Sequence, residues 1–257
     1  MLKRAFIFFV LFFFLAGFVD AADLSKLVEK RISEDGTILD LKDMNIGPKG
    51  AKELAAMESL ASLVTLHLQG NKIKARGMKA LAKSPHLAKL KHLDLWGNLL
   101  GDRGLKSISD SPYLKNLETL KLWKNEISDD SLPFLAKSKN FMKLKTLMLN
   151  DNLITDAGAA SLAKSGSFSK LKTLNLFRND VGDLGALAFA KSVKFPNLES
   201  FFLGENKITD EGAIPLIESQ NFPALKILDI GKNLLGEASA LAAFRVNRKG
   251  KVRVIYR

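Results

Sequence analysis

Asparagine returns every 27 residues along this chain: Asn71, Asn98, Asn125, Asn152, Asn179, Asn206 and Asn233, with no insertion between any two. One further step back reaches Met44, in a degenerate first unit. A spacing held through seven copies describes one supersecondary unit repeated and stacked. Each unit is too short to bury an apolar face alone and does so only against its neighbours. The chain is therefore expected to grow in one direction, unit on unit, rather than to wrap a single central core.

Around each Asn runs the pattern LxxLxLxxNxL. It reads Leu90, Leu93, Leu95, Asn98, Leu100 in one unit and Leu117, Leu120, Leu122, Asn125, Ile127 in the next. The LxL alternation has the period of a strand, with both leucines inward and their neighbours outward. Four residues after the Asn comes an acidic column, Asp102, Asp129, Asp156, Asp183, Asp210 and Glu237. A carboxylate there can cap the orphan N–H groups of a following helix. Two positions on lies a small-residue column: Gly50, Gly77, Gly104, Ser131, Gly158, Gly185, Gly212 and Ser239. Serine replaces glycine twice, so close packing between units, not a positive φ, is the expected reason for it. Apolar residues then fall one helical turn apart, as in Leu105 and Ile108. A further column of Leu114, Phe141, Phe168, Phe195 and Phe222 closes the unit. Parallel strands sit about 4.8 Å apart and packed helices about 8–10 Å apart, so the stack must curve with its strands on the inside. The Asn amide, with donors and an acceptor, is expected to satisfy buried turn backbone as a ladder, a structural role and not a catalytic one.

The pattern resembles the leucine-rich repeat family, from Gly36 to about Phe244. Its 27-residue period with a helical second half is most similar to the ribonuclease-inhibitor-like subclass. The resemblance implies an α/β class fold: a right-handed βα solenoid, or horseshoe, with a parallel sheet on the concave face and helices on the convex face. It also implies a non-catalytic scaffold that binds a protein partner, whose identity the fold does not fix.

The ends read differently from the repeats. Lys3 and Arg4 precede an unbroken apolar run from Ala5 to Val19, and Val19-Asp20-Ala21 presents short residues where a signal peptidase cuts. A bilayer span needs about 20 apolar residues, so residues 1–21 read as a signal peptide cleaved after Ala21. Residues 22–35 are expected to form a capping helix with Leu24, Leu27, Val28 and Ile32 inward, residues 36–244 about eight repeats, and residues 245–257 a basic cap strand. There Val252 and Ile255 are in phase with Leu225 and Leu228, and Arg257 falls where an apolar residue would otherwise be. The chain has no cysteine, which excludes disulfides, thiol catalysis, Cys-ligated zinc and a lipid-modified N-terminus. It also has no Asn-x-Ser/Thr sequon. Both features depart from the extracellular leucine-rich repeat proteins of animals and plants. They favour a bacterial exported type, periplasmic or secreted.

Function is expected on the outward side of the strands. The residues between the two strand leucines are Asp40, His67, Asp94, Lys121, Met148, Asn175, Phe202 and Asp229. Those after the second leucine are Lys42, Gln69, Trp96, Trp123, Asn150, Phe177, Gly204 and Gly231. Both tryptophans thus fall on a face where periodicity predicts exposure, and large exposed apolar groups mark interaction sites. The expected partner site is Trp96, Trp123, Lys121, Met148, Asn150, Phe177 and Phe202. The competing reading is that Trp96 merely packs on Trp123 along the ladder. His67 lies between Asp40 and Asp94, with His92 nearby, but the spacing matches no metal motif, so no metal, cofactor or enzymatic activity is expected.

The formal charge is +12, and loss of Lys3, Arg4 and Asp20 leaves +11. Six of the positive charges lie at one end: Arg245, Arg248, Lys249, Lys251, Arg253 and Arg257. They could meet an anionic surface or act as a solvated cap that blunts a strand edge. The concave columns mix both signs, which argues against a nucleic-acid groove. A monomer is expected.

Overall fold

The computed structural model describes residues 21–257; the expected signal peptide, apart from Ala21, lies outside them. Each LxL alternation forms a three-residue strand: β1 (Ile38–Asp40), β2 (Thr65–His67), β3 (His92–Asp94), β4 (Thr119–Lys121), β5 (Thr146–Met148), β6 (Thr173–Asn175), β7 (Ser200–Phe202) and β8 (Ile227–Asp229), with β9 (Arg253–Ile255) at the end. Helices alternate with them: α1 (Ala21–Arg31), α2 (Gly47–Ala55), α3 (Lys74–Ala82), α4 (Gly101–Ser109), α5 (Leu132–Lys137), α6 (Asp156–Ala163), α7 (Asp183–Ala190), α8 (Asp210–Glu218) and α9 (Glu237–Arg248). The strands pair in chain order into one open parallel sheet on the concave side, and the helices form the convex layer. From β1 to β8 the register is the repeat itself: Leu39 faces Leu66, Leu66 faces Leu93, and Phe201 faces Leu228.

The core lies between sheet and helices. Both strand leucines of each unit are buried, and so is the Leu114–Phe222 column. Phe189 meets Phe201 edge-on at 4.8 Å between centroids, an arrangement that suits the charge distribution of the rings. At the first coil α1 buries Leu24 and Val28, packs Leu27 and Ile32 beside them, and bridges Ile32 to Leu39.

The Asn ladder is built as its amide chemistry requires. Asn125 Nδ2 donates to the Leu95 carbonyl of the preceding coil at 2.9 Å and to its own Trp123 carbonyl at 3.1 Å. Its Oδ1 accepts the Asn98 and Leu100 N–H groups at 3.1 and 3.3 Å. Asn98 and Asn125 are fully buried, so each amide satisfies turn backbone that water cannot reach.

The structure decides which helix the acidic column caps. These carboxylates cap the helix of the next coil, not that of their own. Asp129 accepts the Thr155 and Gly158 N–H groups at 2.8 and 3.0 Å, and Asp183 does the same for Thr209 and Gly212 at 2.7 and 3.0 Å. The reason is position. Asp156, Asp183 and Asp210 are themselves the first residues of α6, α7 and α8, so their side chains lie beside the neighbouring coil's helix start. The caps of their own helices are Thr155, Gly182 and Thr209. Where serine replaces glycine in the small-residue column, its hydroxyl joins this contact: Ser131 donates to Asp102 and Ser239 to Asp210. These hydrogen bonds, that of Ser239 foremost, hold the Asp210 carboxyl below its usual range. None of the glycines in that column has a positive φ, in keeping with a packing role.

The last strand also differs. Val254, not Ile255, faces Leu228, so β9 is shifted by one residue from the 27-residue phase. Asn247 holds this register: its Oδ1 accepts the Val254 N–H at 2.7 Å and its Nδ2 donates to the Val254 carbonyl at 3.1 Å. A one-residue shift exchanges the faces of a strand. Val254 is therefore buried, Ile255 joins the concave column opposite Asp229, and Tyr256 packs on the core.

Candidate functional site

The parallel register brings the expected concave residues into two adjacent rows. In the first, Asp40, His67, Asp94, Lys121, Met148, Asn175, Phe202 and Asp229 are direct neighbours across the strands. In the second, Trp96 and Trp123 stack with centroids 4.7 Å apart and planes at 20°. That distance is the strand spacing, so the two rings stack along the ladder, and Trp96 Nε1 is buried without a hydrogen-bond partner. Lys42 Nζ lies 5.9 Å from the Trp96 centroid on the side of the preceding coils. The rings are half-buried rather than exposed, and each covers one face of the other.

Further along the row Asn150 is buried, while Met148, Phe177 and Phe202 are half-buried. Phe177 lies over Gly204: a Cβ at Gly204 would come within 2.9 Å of its ring. On the side of the first row away from the tryptophans, toward the strand starts, sits a small cavity of about 220 Å³, lined by Thr65, His67, His92, Asp94, Thr119 and Lys121. Asp94 is only 6% exposed; it pairs with Lys121 at 3.2 Å and accepts the Trp96 backbone N–H at 3.3 Å. His92 Nδ1 is 3.1 Å from Thr119 Oγ1, and among the described residues no group of three potential ligands is placed to hold a metal.

Charged rows border the face. Arg178 bridges Asp151 at 3.2 Å and Glu205 at 2.7 Å, and Lys232 meets Glu205 at 2.7 Å. Lys232 and Arg178 hold the Glu205 carboxyl below its usual range. At the other end of the strands Glu199 sits between Lys172 at 2.8 Å and Lys226 at 2.6 Å. These two lysines, Lys172 first, bring its pKa from 4.5 to about 2. Glu118 is held down in the same way, chiefly by Lys145. Alternating charge at 27-residue spacing was the available sequence signal for these rows. It is weak in isolation because each residue has no charged neighbour along the chain.

The six basic residues at the C-terminal end do not share one element. Arg245 and Arg248 are on α9, Lys249 and Lys251 in the following turn, Arg253 in β9 and Arg257 at the terminus. All are exposed and none forms an ion pair among the described residues. Arg248 lies over the Phe244 ring at 5.9 Å and Arg257 over Tyr256 at 5.3 Å.

Comparison with known proteins places this architecture. A family profile described as Leucine Rich repeat matches residues 59–82, 86–109, 142–163, 169–190 and 196–216. Among curated proteins no sequence match is found. Among solved structures the chain is similar to internalin C2 (inlC2) from Listeria monocytogenes str. 4b F2365, with 23% identity and a TM-score of 0.53 over 87% of this chain and 80% of that one. Five matched repeat segments, set in coils that share one Asn ladder and one parallel sheet, make the chain a leucine-rich repeat solenoid.

Proposed function

We propose that the chain is an exported, monomeric, non-catalytic recognition scaffold that binds a protein partner on the concave face of repeats three to seven. The observation that carries this reading is the fixed row of large apolar side chains there. Trp96 is held against Trp123, and Phe177 against Gly204, before any partner arrives. Anchors already locked by packing lose little conformational freedom on association, and tryptophan at the centre of an interface carries a large share of binding energy. The stacked indoles would contribute the part of their rings left exposed, with Lys121, Met148, Asn150 and Phe202 completing the contact and the charged rows forming a polar rim. Ribonuclease-inhibitor-like geometry and a bacterial source belong to the same reading.

The test is affinity capture with the purified protein, followed by binding of the recovered partner in pure form. A Trp96→Ala/Trp123→Ala variant that keeps its circular dichroism spectrum should bind at least about tenfold more weakly. A partner that binds this variant and the parent equally would end the concave-face reading. Export is tested separately by the N-terminus of the mature protein, expected at Ala22.

A second reading has its own observation, six unpaired cations at one end beside Phe244, which is 54% exposed. That end would then rest on an anionic surface. Binding to vesicles containing phosphatidylglycerol should weaken with salt and disappear when the six are neutralised.

A further inference from the structure

The convex layer contains a feature that the concave site does not use. Two helical columns at 27-residue spacing are basic in the first three helical coils: Lys49, Arg76 and Arg103 in one, Lys52, Lys79 and Lys106 in the other. From Asp130 and Pro133 onward neither column carries a basic residue. The basic stretch is therefore not a general solvating device of the convex face.

Where α3 and α4 lie side by side the surface opens into a groove of about 470 Å³, a size that suits one small ligand. Its rim is Arg76 and Lys79 from α3 and Lys83 at its C-terminal cap, with Arg103 and Lys106 from α4. The floor contains Ala75, Ala82, Ser107, Ser111 and Pro112, small or non-polar groups whose hydroxyls are already engaged. Ser107 donates to the Arg103 carbonyl and Ser111 to that of Ala82. The one acid on the rim, Asp110, is paired with Lys106. Arg76, Lys79, Lys83 and Arg103 form no ion pair among the described residues. Arg76 and Arg103 occupy equivalent positions on adjacent helices, whose axes lie about 8–10 Å apart, and both line the trough.

We propose that this groove binds an organic phosphate monoester, with the phosphate between Arg76 and Arg103 and the apolar body along the floor toward Ala82 and Pro112. Guanidinium forks match phosphate oxygens in pairs. Lys79 and Lys83 supply further positive potential along the trough. The monoester could be carried by a lipid headgroup or by a soluble metabolite, since both offer the same phosphate.

Isothermal titration of the purified full chain with dihexanoyl phosphatidic acid, kept below its micelle concentration, tests the site. Saturable binding of one molecule per chain is expected, weakened at least about tenfold by Arg76→Ala/Arg103→Ala. Ala75→Met, which fills the trough and leaves both arginines, should weaken it comparably. Lys164→Ala/Lys191→Ala removes the same charge elsewhere and should change affinity less than about twofold. Equal losses from the two double variants would reduce the effect to net charge and overturn the proposal. So would inorganic phosphate binding as tightly as the lipid, binding to phosphatidic acid vesicles but not to the dispersed molecule, or no binding at all. Phenyl phosphate in parallel identifies the source: tighter binding of the lipid assigns the groove to a headgroup, and the reverse assigns it to a soluble phosphate, and either supports the site.

Discussion

Gly185 lacks a side chain because of Asp156 in the preceding coil. Asp156 Oδ1 accepts the Gly185 N–H at 2.8 Å, and a Cβ on Gly185 would lie 2.8 Å from that same oxygen. It would also meet Val181 Cγ1 at 2.7 Å and Ala159 Cβ at 2.9 Å. The acidic column and the small-residue column are thus two halves of one contact between coils. Gly185→Ala should cost about 1–3 kcal/mol, the usual penalty of overpacking. Asp156→Ala, which leaves helix N–H groups without their acceptor, should cost about 0.5–2 kcal/mol. Gly166→Ala, with open space around it, serves as the control and should stay within about 0.5 kcal/mol of the parent. Urea melts of the three variants decide it.

The Asn ladder makes a sharper demand. Asn152 Nδ2 donates to the carbonyls of Leu122, Leu149 and Asn150, and its Oδ1 accepts the N–H groups of Asn125 and Ile127. Asn152→Leu orphans these buried groups at about 1–3 kcal/mol each. Met44 holds the same phase in the first coil but is only half-buried, so Met44→Asn should have far less effect. Equal melting shifts for the two would mean that the leucines alone hold the solenoid.

Glu199 provides a pH readout. Its pKa is lowered from 4.5 to about 2 by Lys172 and Lys226. A depressed carboxyl stabilises the folded chain above its ordinary pKa, and that contribution is lost as pH falls toward about 2. Carboxyl-carbon NMR should place the Glu199 midpoint near about 2, and Lys172→Met should raise it. The group is partly open to solvent, so high salt should raise it as well.

The two tryptophans offer a spectroscopic test of the ladder. Stacked indoles 4.7 Å apart couple their transitions, so the protein should display an exciton couplet in its far-ultraviolet circular dichroism. Trp96→Phe and Trp123→Phe should each abolish it while leaving the helical signal intact. A couplet that survives either change would contradict the stacked geometry.

Much of this was written in the linear chain, for a definite reason. Within one coil the strand, the Asn and the helix follow from local periodicity, and a constant spacing of 27 fixes which residues lie side by side in every coil up to β8. That is why the two concave rows, their inward leucines and the buried Phe column could be read from the sequence. Contacts between coils were legible only as coincidences of position, and their direction was not. Only the stacked structure decided that Asp129 and Asp156 cap the next helix rather than their own, because that depends on lateral offset. Trp96 and Trp123 stack on each other and are half-buried, because neighbouring strands stand one ring-stacking distance apart. The shift of β9 came from a single side chain, Asn247, holding Val254 where the repeat would have put Ile255. The α3–α4 groove arises because small residues on adjacent helices happen to face one another. Periodicity specifies what each coil is made of; packing between coils specifies what its surfaces present.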